Sequence, residues 1–465
     1  MLLDLIKKEI AVNVLSLRFI VIFVLFFGLI LVSTFILTSD YQRRQQGYQS
    51  SRTAHRDALN KIESLEDNRK QVEELIYNQG VYTELQPQPL SIFVRGLEDD
   101  LPSQIHISRN LYTSRFGVRK IDEDFYQNPF FSLFTTPDYG YIVNIVASLL
   151  ALLFVFDAIC GEKERGTLKI KLSNAVPRDL VILSKWIGGY LCLIVPFLVS
   201  LLAGVTYVYL TGAVRLGGES LDRLLWLVAI SLLYISVFFT LGLLISTLTH
   251  RSSTALIVSL FVWICSILVI PNLAPVIGRL VAPVPTLQKI LAEKEAVDRE
   301  TSLRLQRISR TMLEYGNEAE RARERIEKEG ETRKKKLDAF FQSELRRQID
   351  ISKTLSRISP SASFRYAATE LAETGTGLFS RFNIGYKRFQ ERFEEYAEDI
   401  DDRLDDDQLG NDWLQVDELP GLEMSPSRIE DVIDSMITVD LLLMVIFNVI
   451  FFMAAYVFFL RYDVT

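Results

Sequence analysis

The string Gly161-Glu162-Lys163-Glu164-Arg165-Gly166-Thr167 is where this chain comes nearest to a nucleotide-binding loop. Cradling phosphates needs a glycine-rich turn ending in Lys-Ser/Thr, so that backbone amides and the lysine hold the phosphate oxygens. Here Gly166, not lysine, precedes the threonine, and the string follows an apolar run rather than a strand. ATP hydrolysis by this chain is therefore not expected. Metal chemistry has as little support. His55, His106 and His250 are isolated, no HExxH occurs, and Cys160, Cys192 and Cys265 lack ligand spacing. The acidic run Asp399, Asp401, Asp402, Asp405, Asp406 and Asp407 lacks the alternate-position pattern and closing glutamate of a calcium loop, and reads as a solvated face. No serine is framed as Gly-x-Ser-x-Gly with a histidine to serve it, so a membrane-embedded hydrolase lacks its catalytic groups. The expectation is a non-enzyme with no catalytic, cofactor-binding or metal-ligating residues.

The apolar residues are distributed to match. The chain has 465 residues, 49% of them hydrophobic, concentrated in long runs beside stretches that are almost wholly polar. That segregation marks a membrane protein. The formal net charge of -7 argues against a nucleic-acid partner. The three cysteines sit in or beside apolar runs, so disulfides do not hold the polar segments together. The first apolar run is too long for a cleaved signal peptide, and no small-residue cleavage site follows it.

The expected fold class is mainly α, a polytopic membrane protein with six transmembrane helices and two extracytoplasmic insertions. Residues 1–18 alternate apolar and charged positions at helical spacing and read as an interfacial helix on the cytoplasmic surface. The six spans are expected at 19–37, 141–160, 186–210, 224–249, 253–271 and 437–460, with Pro196 kinking the third and Pro271 closing the fifth. Basic residues fall on one side in this scheme: Lys7, Lys8 and Arg18 before the first span, Lys163 to Lys185 in the 161–185 loop, Arg251 between spans four and five, and Arg461 after the sixth. The positive-inside rule then puts both termini in the cytoplasm.

Two polar segments are left outside. The first, 39–140, is expected to be helical over 41–78, with some strand-like alternation at Ile105 and Ile107. The second, 272–436, begins with a proline-broken apolar piece, 273–287, that suits a re-entrant or interfacial position. Charged helices follow over 288–356, interrupted at Gly316 and Gly330 and able to form a hairpin. In the helix 382–400, Phe382, Tyr386, Phe389, Phe393 and Tyr396 recur every three or four residues, a core face expected to pack on those charged helices.

Four polar side chains stand within the spans: Asn144, Asp157, Asp440 and Asn448. Such groups line a substrate path or bond between helices. No chain of ionisable residues crosses the membrane, which disfavours a proton-driven pump. The loop itself is the sharpest signal. Glu162, Lys163, Glu164 and Arg165 form a charged start, Arg165-Gly166 a bend, Leu168 and Leu172 an apolar side, and Pro177 a restart. Such a short surface helix can dock in a groove of a soluble partner and pass on its motion. The plainer alternative is a basic loop meeting anionic lipid.

At this loop the chain resembles the permease subunits of type-2 ATP-binding-cassette exporters. The family pattern after the second span is matched by Glu162, Glu164, Arg165, Gly166, Thr167, Leu168, Leu172, Pro177, Arg178 and Lys185. The start Ile6-Lys7-Lys8-Glu9 is similar to the family's interfacial helix, and 273–287 to its outer re-entrant helices. The large outer segments, with Arg357-Ile358-Ser359-Pro360-Ser361 and then Phe364, are similar to one subgroup. The resemblance implies an inner-membrane permease working with a separate nucleotide-binding ATPase, which carries the ATP and Mg. It implies a second permease copy or a homologous permease, and the outer domains leave room for an envelope-protein partner. Glu162, Glu164, Arg165, Gly166, Thr167, Leu168, Leu172, Pro177 and Arg178 become the ATPase-coupling residues, and Glu162, Glu164 and Arg165 the expected contacts. Export and a non-transporting scaffold that organises envelope partners remain two readings of this pattern.

Overall fold

The computed structural model describes residues 1–65, 69–109, 137–173, 177–214, 217–309, 312–405, 416, 419–425 and 427–461. It is a mainly α polytopic membrane protein with six helices long and apolar enough to cross a bilayer. The helices are Leu17–Glu63, Tyr139–Glu164, Arg178–Thr211, Glu219–Leu248, Ser252–Val281 and Thr438–Leu460. An entry helix, Leu2–Val14, precedes the first.

The chain forms two units, Met1–Trp263 with Ser363–Thr465, and Ile264–Ala362. In the first unit the fourth span is the most buried of the six. It packs between the second and the sixth, while the third packs on the first and carries the entry helix. Small and polar residues do this, because lipid offers no hydrophobic drive for helices to associate. Gly242 lets the fourth span approach Val155 of the second so closely that an added Cβ would lie 2.5 Å from the valine methyl. Asn448 of the sixth span bonds across to the fourth, donating to Ser236 Oγ at 2.6 Å and accepting from Thr240 at 2.9 Å. Tyr234 of the fourth donates to Asn144 of the second at 2.9 Å.

The first span is longer than a membrane requires. Leu17–Glu63 is one 47-residue helix, about 70 Å long at the α-helical rise. Its far half enters, at Leu59, the core of a domain built from the two polar insertions. A two-stranded antiparallel hairpin, β1 Val81–Glu84 and β2 Gln104–Ile107, stands there with Val81 opposite Ile107. The strand-like alternation at Ile105 and Ile107 is thus a strand whose isoleucines are buried. Residues 110–136 of the first insertion lie outside the described residues.

The aromatic helix runs Thr376–Asp405. Its stripe is a core face, but with a different partner from the one expected. Phe382, Phe389 and Phe393 share one cluster with Leu59, Val72, Leu75, Ile76, Leu101, Ile105 and Ile107 of the first insertion. The two outer segments therefore build a single core. The reason lies in the charged helices themselves, whose composition offers carboxylates and cations at nearly every turn and few side chains that gain by leaving water.

The second unit holds those charged helices. Leu287–Ser309 and Met312–Ser356 pair as an antiparallel hairpin, marked by Lys294–Asp338 at 2.6 Å, Lys334–Asp298 at 2.9 Å and Arg333–Glu300 at 2.8 Å. Gly330 does not interrupt the longer helix. It faces Thr301, where any Cβ would collide, and so sets the closeness of the pair. One expectation about a proline also changes. Pro271 does not close the fifth span, because the helix continues through Ile270–Val281 with Pro275 inside it. A π-helical stretch, Cys265–Val269, ends two residues before Pro271. Widening that turn relieves the clash and the missing donor that proline brings to a helix.

Candidate functional site

The 161–178 loop is built from two short helices, Cys160–Glu164 and Thr167–Ser173. Gly166 separates them at φ +71°, a left-handed conformation that a side chain would resist. The first helix is too short to satisfy its own end groups. The fourth span does so instead, with Ser246 Oγ accepting from Ile159 N at 3.0 Å and from Cys160 N at 3.1 Å.

Two adjacent residues then bind two helix ends of opposite polarity. The Lys163 ammonium donates to the carbonyls of Thr247 and Thr249, where the fourth span finishes. The Glu164 carboxylate accepts from Ser252 N at 3.0 Å and Ser252 Oγ at 2.7 Å, where the fifth span begins. Each charge opposes the partial charge of the helix end it meets. The loop is thereby fastened to both sides of the tight turn between spans four and five.

Glu162 makes contacts within the chain. Its Oε1 accepts from Lys185 Nζ at 2.8 Å, and Lys185 also pairs with Glu9 of the entry helix at 3.4 Å. Lys185 is only 6% exposed. The triad is largely shielded from solvent, which makes Glu162 an internal strut between the loop, the third span and the entry helix. Arg178, which opens the third span, donates to the Leu460 carbonyl at 2.7 Å, at the end of the sixth. Arg18 of the first span makes a bidentate pair with Asp157 at 2.7 and 2.8 Å and lies over the Phe156 ring. Asp157 thus joins the second span to the start of the first.

The rest of the loop divides by exposure. Leu168 is fully buried, as the apolar side requires, whereas Arg165, Gly166, Thr167, Lys169 and Ile170 are exposed. The side chain of Leu172 and residues 174–176 lie outside the described residues. Pro177 caps the third-span helix. Asn144 and Asn448 bond between helices as described above, and Asp440 is fully buried in the first turn of the sixth span. Among the described residues, no three histidines, cysteines or carboxylates are grouped to hold a metal ion. Ser246 and Ser252 are the parts that sequence reasoning missed. Ser252 carried a readable signal, a capping residue directly before an apolar run. Ser246 carried none, since a serine inside a span announces no partner.

The opposite end of the fourth span is also anchored. Arg223, 2% exposed, donates to Glu219 at 2.8 Å and to the Ser427 carbonyl at 2.6 Å, with the Glu373 carboxylate 3.6 Å away. Glu373 and Ser427 belong to the chain around the aromatic helix, so one rigid span joins the loop to the outer core.

No curated protein matches this chain. The family model for ABC-2 family transporter proteins matches residues 3–464, essentially the whole chain. Members of that family are the membrane components that pair with an ATP-binding subunit, and on this match, together with the six spans, the chain belongs to the ABC-2 transporter family as a permease subunit.

Proposed function

We propose that this permease couples ATP hydrolysis by a separate ATPase to export, or to work on the envelope, through the 161–178 loop. The observation that carries the reading is the double cap by Lys163 and Glu164. A push on the exposed face of Arg165, Thr167, Lys169 and Ile170 would move the ends of spans four and five together, because adjacent residues hold both. ATP and Mg would sit on the partner. The permease would act as a homodimer or with a homologous permease, multi-pass in the inner membrane with both termini cytoplasmic, the side on which its basic loops cluster.

The alternative, a mechanotransmission subunit that organises envelope partners, is favoured by a separate observation. The first span runs unbroken from the membrane into the outer core at Leu59, and the fourth is keyed to that core by Arg223. Two continuous helices would carry displacement outward even without a translocation path.

The test is made on the permease co-expressed with its ATPase and reconstituted in vesicles. Arg165→Glu with Lys169→Glu is expected to lower co-purification of the ATPase. Lys163→Met with Glu164→Ala is expected to leave the ATPase bound while its turnover no longer responds to the permease. Unchanged binding and unchanged turnover in both variants would overturn the coupling role.

A further inference from the structure

The charged hairpin sorts its charges. On the helix Met312–Ser356, Arg325, Lys328, Thr332 and Lys336 follow one another at intervals of three, four and four, which at 100° per residue places them within one narrow face. Glu327 falls opposite this face, Glu324 and Glu331 flank it, and Glu329 lies along its edge. The cationic row spans about 16 Å at the α-helical rise. It lines a cavity of about 400 Å³ whose remaining walls are Arg304, Glu329 and Arg333.

This cavity differs from an ordinary solvated face in how its cations are held. Arg333 pairs with Glu300 at 2.8 Å, and Arg304 pairs with Glu300 and with Glu329, the latter at 3.5 Å. Hydrogen bonding from Arg333, with the Arg304 charge behind it, holds the Glu300 carboxyl below the ordinary carboxylate range. The two arginines are thus fixed by one ionised acid. Arg325, Lys328 and Lys336 form no pair with a carboxylate among the described residues. Gly330 brings Thr301 against the helix between them, so the two walls stand close. The result is an open groove along which Arg325, Lys328 and Lys336 set three exposed positive charges in a line.

We propose that this trough binds an extended polyanion, a chain carrying phosphate or carboxylate groups at regular intervals along one edge. A single compact anion would need donors converging on a point, whereas these cations are spread along a line and a linear polymer reaches all of them at once. Each contact then releases condensed counterions, so affinity falls steeply with salt. The site lies outside the coupling loop and is independent of the coupling reading.

The experiment uses the full chain in detergent micelles for long-chain inorganic polyphosphate, hyaluronate and inorganic phosphate, and in nanodiscs for phosphatidylglycerol vesicles as the anionic-lipid probe, at low and physiological salt. Binding of polyphosphate identifies phosphate as the recognised group, and binding of hyaluronate identifies carboxylate. Lys328→Glu with Lys336→Glu is expected to weaken polymer binding about tenfold or more and to flatten its salt dependence, whereas Lys387→Glu with Arg388→Glu, the same charge change on another helix, leaves both within about twofold. Lys328→Gln with Lys336→Gln gives the same direction if the reversed pair fails to fold. The proposal is overturned if neither polymer binds at low salt, if inorganic phosphate binds as tightly as the polymers, if only anionic lipid vesicles bind, or if the control pair loses as much affinity.

Discussion

The Lys185 ammonium sits 2.8 Å from Glu162 and 3.4 Å from Glu9, which makes one buried cation the junction of the loop, the third span and the entry helix. Removing the lysine would leave two carboxylates facing each other with little water to screen them. Breaking a buried pair in this way costs about 3 kcal/mol or more. Lys185→Met should lower the thermal unfolding temperature in detergent, and adding Glu162→Gln should restore part of the loss. Full recovery of stability with continued loss of ATPase response would show that the triad positions the loop rather than merely holding the fold.

The cap on the fifth span separates charge from geometry. Glu164→Gln keeps an oxygen that can accept from Ser252, whereas Glu164→Ala does not. The alanine variant is expected to be the less stable of the two, because it leaves the Ser252 amide without its acceptor. Paired thermal melts check the order, and an alanine variant as stable as the parent would mean that the carboxylate is not holding the helix end.

Asn448 distinguishes a structural bond from a translocation path. Its two bonds to Ser236 and Thr240 join the sixth and fourth spans, and interhelical bonds of this kind average about 0.6 kcal/mol and reach about 1.7 kcal/mol at most. Asn448→Leu should therefore destabilise slightly and leave vesicle-based export intact. Lost export at unchanged stability would place this residue on the path instead.

The shared outer core makes a sharper forecast. Phe393 is fully buried among residues of both insertions, and truncating a buried phenylalanine costs about 3–5 kcal/mol. In Phe393→Ala, limited proteolysis should open both outer segments together while the spans stay protected. Cleavage of 376–405 alone, with the β1–β2 hairpin still resistant, would refute a single core.

Uncoupling the far end of the fourth span gives one more check. Arg223→Leu removes the bonds to Ser427 and Glu219 but leaves Lys163 and Glu164 in place. The ATPase should still bind and turn over, while cross-linking between cysteines placed in the outer core should no longer change with nucleotide. A nucleotide-dependent change that survives would exclude this span as the route outward.

The six apolar runs could be read from the residues alone, because a run of that length with at most one charge has one stable environment. The sequence also determined the bend at Gly166 and the core face of Phe382, Phe389 and Phe393, both of which follow from local sterics and helical period. Three matters were left to the tertiary structure. Periodicity says that an aromatic face is buried but not against what, and only the assembled chain shows it on Leu59, Ile105 and Ile107. Residue type says that Glu162 is charged but not where it points, and its inward turn depends on Lys185, 23 positions away. Pro271 reads as a stop because the rule is local, yet a π-turn one residue earlier absorbs it. The loop was legible as the important place from its charges and its glycine. That Lys163 and Glu164 grip two helix ends was not, since the carbonyls and amides they meet are present in every residue and are made distinctive only by the ends of the helices that expose them.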